Sequence, residues 1–249
     1  PDTWRASVPC GPVSSKYKIA ILQEPPELLP EIYSTIQDLE GHFNLIFTFV
    51  EELIQKDPKK YKYYPADSAT IEEENCKMHE KTKLVSMMVS EKVQLAGHQL
   101  RHHLLVDLLP NCGHMEKIDF FGAGVNNYVE FKSAGCNDYM FQIAIENTKR
   151  RSYFTEKILD CFITGVIPIY WGAPNIGDFF DERGIITFSS AEELDSIMKA
   201  LSEEKYKEML EYAKINFEIA NKDYTSPDDY LLEKTIEYLE LDMETLWYQ

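Results

Sequence analysis

YMFQIAIENTKRRSYFTEKILDCFITGVIPIYWG, running from Tyr139 to Gly172, decides the fold of this 249-residue chain. Tyr139–Ile145 is short, mostly apolar, β-prone and bounded by polar residues, the pattern of a buried strand. Residues 146–152 form a polar turn with three consecutive cations, Lys149, Arg150 and Arg151. Residues 155–164 have helical spacing. Phe154, Ile158 and Phe162 fall four apart on one face, and Gly165 is placed to stop the helix. Residues 166–171 read as the next strand. The stretch is therefore one βαβ unit. Its charged and hydroxyl residues collect at the carboxyl end of the first strand, where open parallel sheets bind ligands.

Lys157 lies in the first helical turn, where free N–H groups and the macrodipole favour an anion. A cation there calls for a negative partner, and a nucleotide diphosphate would be one. Glu156 could accept from ribose hydroxyls, and Asn147 and Thr155 add short polar groups at the strand end. The same residue types would also make an exposed basic turn followed by an ordinary salt-bridged helix start. The chain has no Gly-rich phosphate loop, so neither a dinucleotide nor a Walker-type fingerprint points to a nucleotide.

The order of residues says more than their types. E-N-T, then Y-F-T-E-K, then V-I-P-I-Y-W-G-A-P resembles the donor-binding region of the α-1,3-fucosyltransferases, glycosyltransferase family ten. The resemblance runs mainly over residues 81–190. It implies an α/β, GT-B-like fold of two Rossmann-like domains facing a cleft. It also implies a GDP-sugar as co-substrate, no cofactor, and inverting transfer without a catalytic metal. Two local departures are Phe154, where the family usually has Val, and the strongly basic run Lys149, Arg150, Arg151.

Composition bounds the partners. With 25 Lys+Arg against 42 Asp+Glu the net charge is −17, a surface that repels nucleic acid and anionic lipid. Against that background a triple cation suggests a local anion site. Five cysteines, at 10, 76, 112, 136 and 161, show no paired spacing. They read as reduced thiols in a cytoplasmic or cytosol-like compartment, with peripheral membrane association left open. No apolar run reaches membrane length.

Residues 1–15, rich in Pro, Gly and Ser, read as loop or tail. Residues 18–22 (KIAIL) are a short strand ending at Gln23-Glu24-Pro25-Pro26-Glu27. Pro25 pushes Glu24 towards an extended conformation at the strand's tip. The family carries its proposed general base at the corresponding strand end, and Glu24 matches that position, with Glu27 the nearby competitor. Residues 31–39 read as helix, 44–49 as strand and 51–55 as a short helix. KKYKYY at 59–64 alternates aromatics with cations. That could stack on bases, but in so acidic a chain a strand with one packed aromatic face is the better reading. Residues 67–80 read as the connection between domains. This amino-terminal unit (1–80) has two clear strands, fewer than a full GT-B domain, so the resemblance implies an incomplete acceptor-side domain.

The donor-side domain is expected over 81–225. Residues 81–90 open it as a strand. In 97–109, Leu100, Leu104, Leu105 and Leu108 make one helical stripe beside His98 and Arg101. The family places an Arg on the donor phosphate in this region. Strict counting lands nearer His98, while the surrounding pattern lands on Arg101, whose planar, permanently charged fork suits a diphosphate. His102 and His103 are adjacent on a helix, about 100° apart, and do not converge on one ion. Residues 118–122 read as a strand with a Gly-Ala-Gly turn. Residues 185–188 read as another strand, Ser190 and Glu193 as a capping box, 203–220 as a solvated amphipathic helix, and 230–248 as a last helix within a segment (226–249) that crosses back to the first domain.

The function implied by the resemblance is transfer of fucose, or a related sugar, from a GDP-sugar to a hydroxyl of a glycan acceptor. Glu24 would be the base and Arg101 and Lys157 the diphosphate partners. Asn147, Tyr153, Thr155 and Glu156 would complete the donor site. Two alternatives are the same fold using another nucleotide sugar and a non-catalytic GDP-sugar-binding or glycan-binding protein.

Overall fold

The computed structural model describes residues 17–240. The expected loop at 1–15, Cys10 within it, and the end of the last expected helix lie outside the described residues. The first sheet is built from β1 (Ile19–Leu22), α1 (Pro30–Leu39), β2 (Leu45–Thr48), α2 (Glu51–Lys56) and β3 (Tyr61–Tyr63). Its three strands run parallel in the order β1-β2-β3. Pro30 starts α1, where its missing N–H costs nothing and its fixed φ is already helical. Tyr33 and Ile36 of α1 and Leu53 of α2 pack on Ile46 and Phe49. The aromatic run behaves as a packed strand, with Tyr61 and Tyr64 buried and the Tyr61 hydroxyl donating to Glu40 at 2.6 Å.

The connection that follows is not a passive spacer. Ile71 is buried in the core around α5 (Glu156–Thr164). Thr70 donates from its N–H (2.6 Å) and its hydroxyl (2.9 Å) to the buried Asp160 carboxylate.

The second sheet contains β4 (Lys83–Met88), β5 (Ile118–Phe121), β6 (Tyr139–Ile145), β7 (Ile167–Trp171) and β8 (Ile186–Thr187). All pairs are parallel, in the order β5-β4-β6-β7-β8. Every residue of β6 is buried, because this strand is covered on both faces. On one face α5 delivers Ile158, Leu159 and Phe162, each stabilising by about 1.5–3 kcal/mol through burial. On the other lie α6 (Ala191–Ala200) and α7 (Glu203–Asp223), through Leu194, Met198, Tyr206 and Met209. Gly165 follows α5 with φ +75°, the left-handed conformation that ends a helix without Cβ strain.

Between β4 and β5 the expected single helix is interrupted. α3 (Ala96–His103) passes into a wider π-type turn at Leu104–Leu108 and ends in α4 (Leu109–Asn111). The widening immediately precedes Pro110, which has no N–H to donate and whose ring would collide with the carbonyl four residues back. After α7 the chain returns through α8 (Pro227–Tyr238). Tyr230, Leu231, Tyr238 and Leu239 pack against Leu45, Phe47 and Tyr64 of the first sheet. No helix among the described residues is long and apolar enough to cross a membrane.

Candidate active site

The carboxyl end of β6 is where the second sheet's polar residues meet. Glu146 follows the strand directly and is fully buried. Its carboxylate accepts from the Thr155 N–H at 2.9 Å and from the Thr155 hydroxyl at 2.7 Å. Thr155 in turn caps the start of α5. One turn of chain is thus tied across the mouth of the βαβ unit by a single carboxylate. Burial raises the Glu146 carboxyl above its ordinary range, opposed by Lys157 at 3.8 Å.

Lys157 projects from the first turn of α5. Its ammonium donates to Thr155 Oγ1 and to Glu156 Oε1, both at 3.0 Å. Burial works against its charge, but Glu156 and Glu146 outweigh it and hold the group above its usual value. Burial opposes ionisation of Glu156 too. Lys157 and Lys132, the latter at 3.4 Å, overcome this and keep the carboxyl far below its usual range.

α3 reaches the same point because Gly97 lets its backbone touch the strand end. The Gly97 N–H donates to the Asn147 carbonyl at 3.0 Å. An added Cβ would lie 2.8 Å from the Glu146 carbonyl carbon and would overlap its oxygen. One turn later, Arg101 inserts its guanidinium under β6. It donates to the Ile145 carbonyl and to Asn147 Oδ1, the latter at 3.1 Å. His98 is buried beside it, and burial, then Arg101, push its imidazole down to about 4, so it is neutral near pH 7. Arg101 and His98, the two alternatives for one position, therefore share one pocket.

Tyr153 is buried, with its ring centroid 4.9 Å from that of Phe49 in the first sheet's core. Burial, then Glu146 and Glu24, raise its phenol far above the usual range. The Tyr153 hydroxyl thus lies in the electrostatic neighbourhood of both sheets. Glu24 itself is exposed at the tip of β1, and its carbonyl accepts from the Tyr33 hydroxyl at 2.7 Å.

Arg101, Asn147, Tyr153, Thr155, Glu156 and Lys157 are brought together as one cluster, with Glu24 approaching from the first sheet. Two members escaped the sequence reading. Glu146 was in plain view within E-N-T, but as the first residue of a polar turn it carried no sign of burial. Asp67 had no local signal at all, because the connection folds back to put it against Glu156. Burial, then Glu156, push its carboxyl up to about 7.

The triple cation needs correction. It is not a free anion site. Arg150 pairs with Glu27 at 3.0 Å and with Glu52 at 2.7 Å. Arg151 pairs with Glu51 at 3.2 Å. Only Lys149 is left near the strand ends, 3.2 Å from Ser189 Oγ. The two arginines of this turn thus serve carboxylates of the first sheet's unit, and Arg151 also reaches Asp178 at 3.7 Å. His102 and His103 diverge, one to the Lys92 carbonyl and the other to Asp107. Among the described residues no three His, Cys, Asp or Glu side chains are grouped to hold a metal ion. A surface cavity of about 570 Å³, bordered by Lys83, Asp119 and Tyr139, runs along the β5 edge of the second sheet and shares no residue with the cluster.

Three comparisons bear on this arrangement. The family described as glycosyltransferase family 10 (fucosyltransferase), C-terminal, matches residues 78–242. The chain is 35% identical over 74 residues to an α-(1,3)-fucosyltransferase of Helicobacter pylori, covering 30% of this chain and 15% of that protein. It is 29% identical over 142 residues to GDP-fucose protein O-fucosyltransferase 3 of Bos taurus, covering 55% of this chain and 27% of that one. The matched stretches are thus well under two thirds of either relative's length. A solved α1,3-fucosyltransferase with GDP-fucose superposes with a TM-score of 0.54 at 16% identity, over 94% of this chain and 77% of its own. At that identity the likeness is one of fold, and the fold is GT-B.

Proposed function

This chain belongs to glycosyltransferase family 10, the fucosyltransferases, and we propose on that premise that it moves fucose from GDP-fucose to a hydroxyl of a glycan acceptor, with inversion and without a catalytic metal. The observation that supports this most is the meeting of Arg101, Lys157 and the start of α5 at one strand end. Two cations and a helix amino terminus favour an anion. Lys157 is paired with Glu156 at 3.0 Å, and Arg101 is buried on the Ile145 carbonyl and Asn147, so in this reading a diphosphate competes with Glu156 for the ammonium.

In this reading the Glu24 carboxylate takes the acceptor hydroxyl's proton as the oxygen attacks the anomeric carbon. The new C–O bond forms on one face while the bond to diphosphate breaks on the other. GDP leaves with the bonding electrons. Arg101 and Lys157 neutralise the charge that grows on the departing diphosphate, fixed in place before the reaction begins. Asn147, Tyr153 and Glu156 serve the ribose and sugar. Glu146 touches no substrate; it fixes Thr155 and so the start of α5.

Two variants test the assignment. Glu24→Gln should leave GDP affinity unchanged and lower transfer by ~10²–10⁴, the usual loss for a general base. Lys157→Ala should weaken GDP by about 1.5–3 kcal/mol in calorimetry. Wild-type transfer by the first variant removes Glu24 as base, and unchanged GDP affinity in the second removes the diphosphate site. A panel of nucleotide sugars decides whether fucose is the preferred donor sugar.

A further inference from the structure

Arg150 carries a charge that turns away from the donor-side cluster. One end of its fork donates to Glu27 Oε1 at 3.0 Å and the other to Glu52 Oε2 at 2.7 Å. Glu27 lies in the turn that follows β1, and Glu52 in the first turn of α2. The next two residues repeat the pattern. Arg151 donates to Glu51 at 3.2 Å, and the Ser152 hydroxyl donates to Glu51 Oε1 at 2.7 Å. Three successive residues after β6 therefore grip two elements of the first sheet.

The gripping turn is itself held. Ser152 has φ +60°, a left-handed conformation uncommon outside glycine. It persists because the Ser152 N–H donates to the buried Asn175 side chain at 2.8 Å. The gripped turn is equally well defined. The N–H groups of Leu28 and Leu29 both return to the Pro25 carbonyl, at 2.9 and 3.2 Å, and the Glu24 carbonyl is fixed by Tyr33. Glu24 and Glu27 are parts of one small body, so a force on the second moves the first. Ion pairs this exposed add little to stability. A guanidinium fork is directional, however, and here it contacts two elements at once. Orientation is what it supplies.

We infer that Arg150 is a positioning residue that, through Glu27 and Glu52, sets the Glu24 turn of the first sheet over the strand end that carries Asn147. Its effect on rate rests on the proposed role of Glu24, and its effect on the turn does not. Family resemblance does not supply this role, since the basic run is a point where the chain departs from the pattern.

Amide hydrogen exchange and steady-state kinetics on the full chain test it, comparing wild type with Arg150→Ala and Arg150→Lys. Arg150→Ala should speed exchange at Leu28 and Leu29 by about 10-fold or more, because those amides belong to the loosened turn. It should lower kcat by about 10²-fold, the cost of a misplacement near 1 Å, and leave KM for GDP-fucose within about two-fold. Arg150→Lys keeps the charge but not the fork and should fall between. Unchanged exchange overturns the inference. So does faster exchange with wild-type kcat where Glu24→Gln is slow, and so does a loss of GDP affinity as large as the loss of kcat, which would put Arg150 on the donor. If Glu24→Gln transfers normally while Arg150→Ala loosens the turn and slows transfer, the base assignment falls. The positioning role then stands for another group of that turn.

Discussion

Replacing Gly97 by Ala should do the reverse of what the residue types suggest. Gly97 lies within α3 in ordinary helical conformation, and there Gly→Ala normally stabilises by about 0.5–1 kcal/mol. The new Cβ, however, would stand 2.8 Å from the Glu146 carbonyl carbon and 3.0 Å from that of Asn147, and would overlap the Glu146 carbonyl oxygen. Relaxed carbon contacts need about 3.5–4.0 Å. The carbonyl belongs to the end of a buried central strand, so α3 must retreat, by roughly 1.5 Å, before the new Cβ clears the Glu146 carbonyl oxygen. The 3.1 Å bond from Arg101 to Asn147 would then stretch to roughly 4.5 Å, beyond hydrogen-bond range. Overpacking of this kind costs about 1–3 kcal/mol, and the weakened bonds of a buried charged group add about 1.5 kcal/mol. Set against the helix gain, the net loss is about 3 kcal/mol, or about 6–12 °C in Tm for a chain of this size. GDP affinity should fall as well, by about 10- to 100-fold if one charge-assisted contact is lost. Differential scanning calorimetry and GDP titration on the same sample read both. A Gly97→Ala protein that melts at or above the wild-type temperature and binds GDP normally would refute the close-approach argument.

Two further outcomes follow from the site's charges. Asp67 is held up to about 7 by burial and Glu156, while in the unfolded chain it ionises near ~3.9. Between those values the folded protein binds the extra proton, so stability declines as pH rises through about 7. Asp160, raised to about 6, adds a fall of the same sign. Asp67→Asn should flatten the decline in Tm between pH 5.5 and 8, and an identical slope in both proteins would contradict the placement of Asp67 beside Glu156. Transfer should also survive a chelator, since no metal-sized cluster occurs among the described residues. Loss of activity with EDTA, restored by one divalent ion, would reveal a site that these residues do not show.

The βαβ core was legible because its signals are local. Seven buried residues in a row, a four-residue apolar repeat and a glycine at the helix end need no knowledge of the rest of the chain. The cluster at the strand end was legible for the same reason wherever its members are close in sequence, as from Asn147 to Lys157. Asp67 and Glu156 are far apart along the chain, and nothing in a polar connection announces which carboxylate will be folded under another. The basic run failed for a related reason. Its charge was evident, but its partners Glu27, Glu51 and Glu52 lie about a hundred residues earlier, and a list of acidic residues does not say which ones will meet it. Arg101 lay between these cases, since its chemistry was clear but its register against β6 depended on how closely Gly97 could approach.

The return of the chain through α8 has a mechanical meaning. Two bodies joined by one linker can swivel in any direction. Here the polypeptide passes between the sheets twice, once at residues 65–82 and again between α7 and α8, whose Tyr230 ring sits 5.7 Å from that of Tyr64. Two attachment points remove directions of movement that one linker would leave free, and the bonds of Arg150, Arg151 and Ser152 to Glu27, Glu51 and Glu52 tie the same bodies at a third place. A pair of spectroscopic labels, one beside each sheet, should therefore report a single narrow distance distribution.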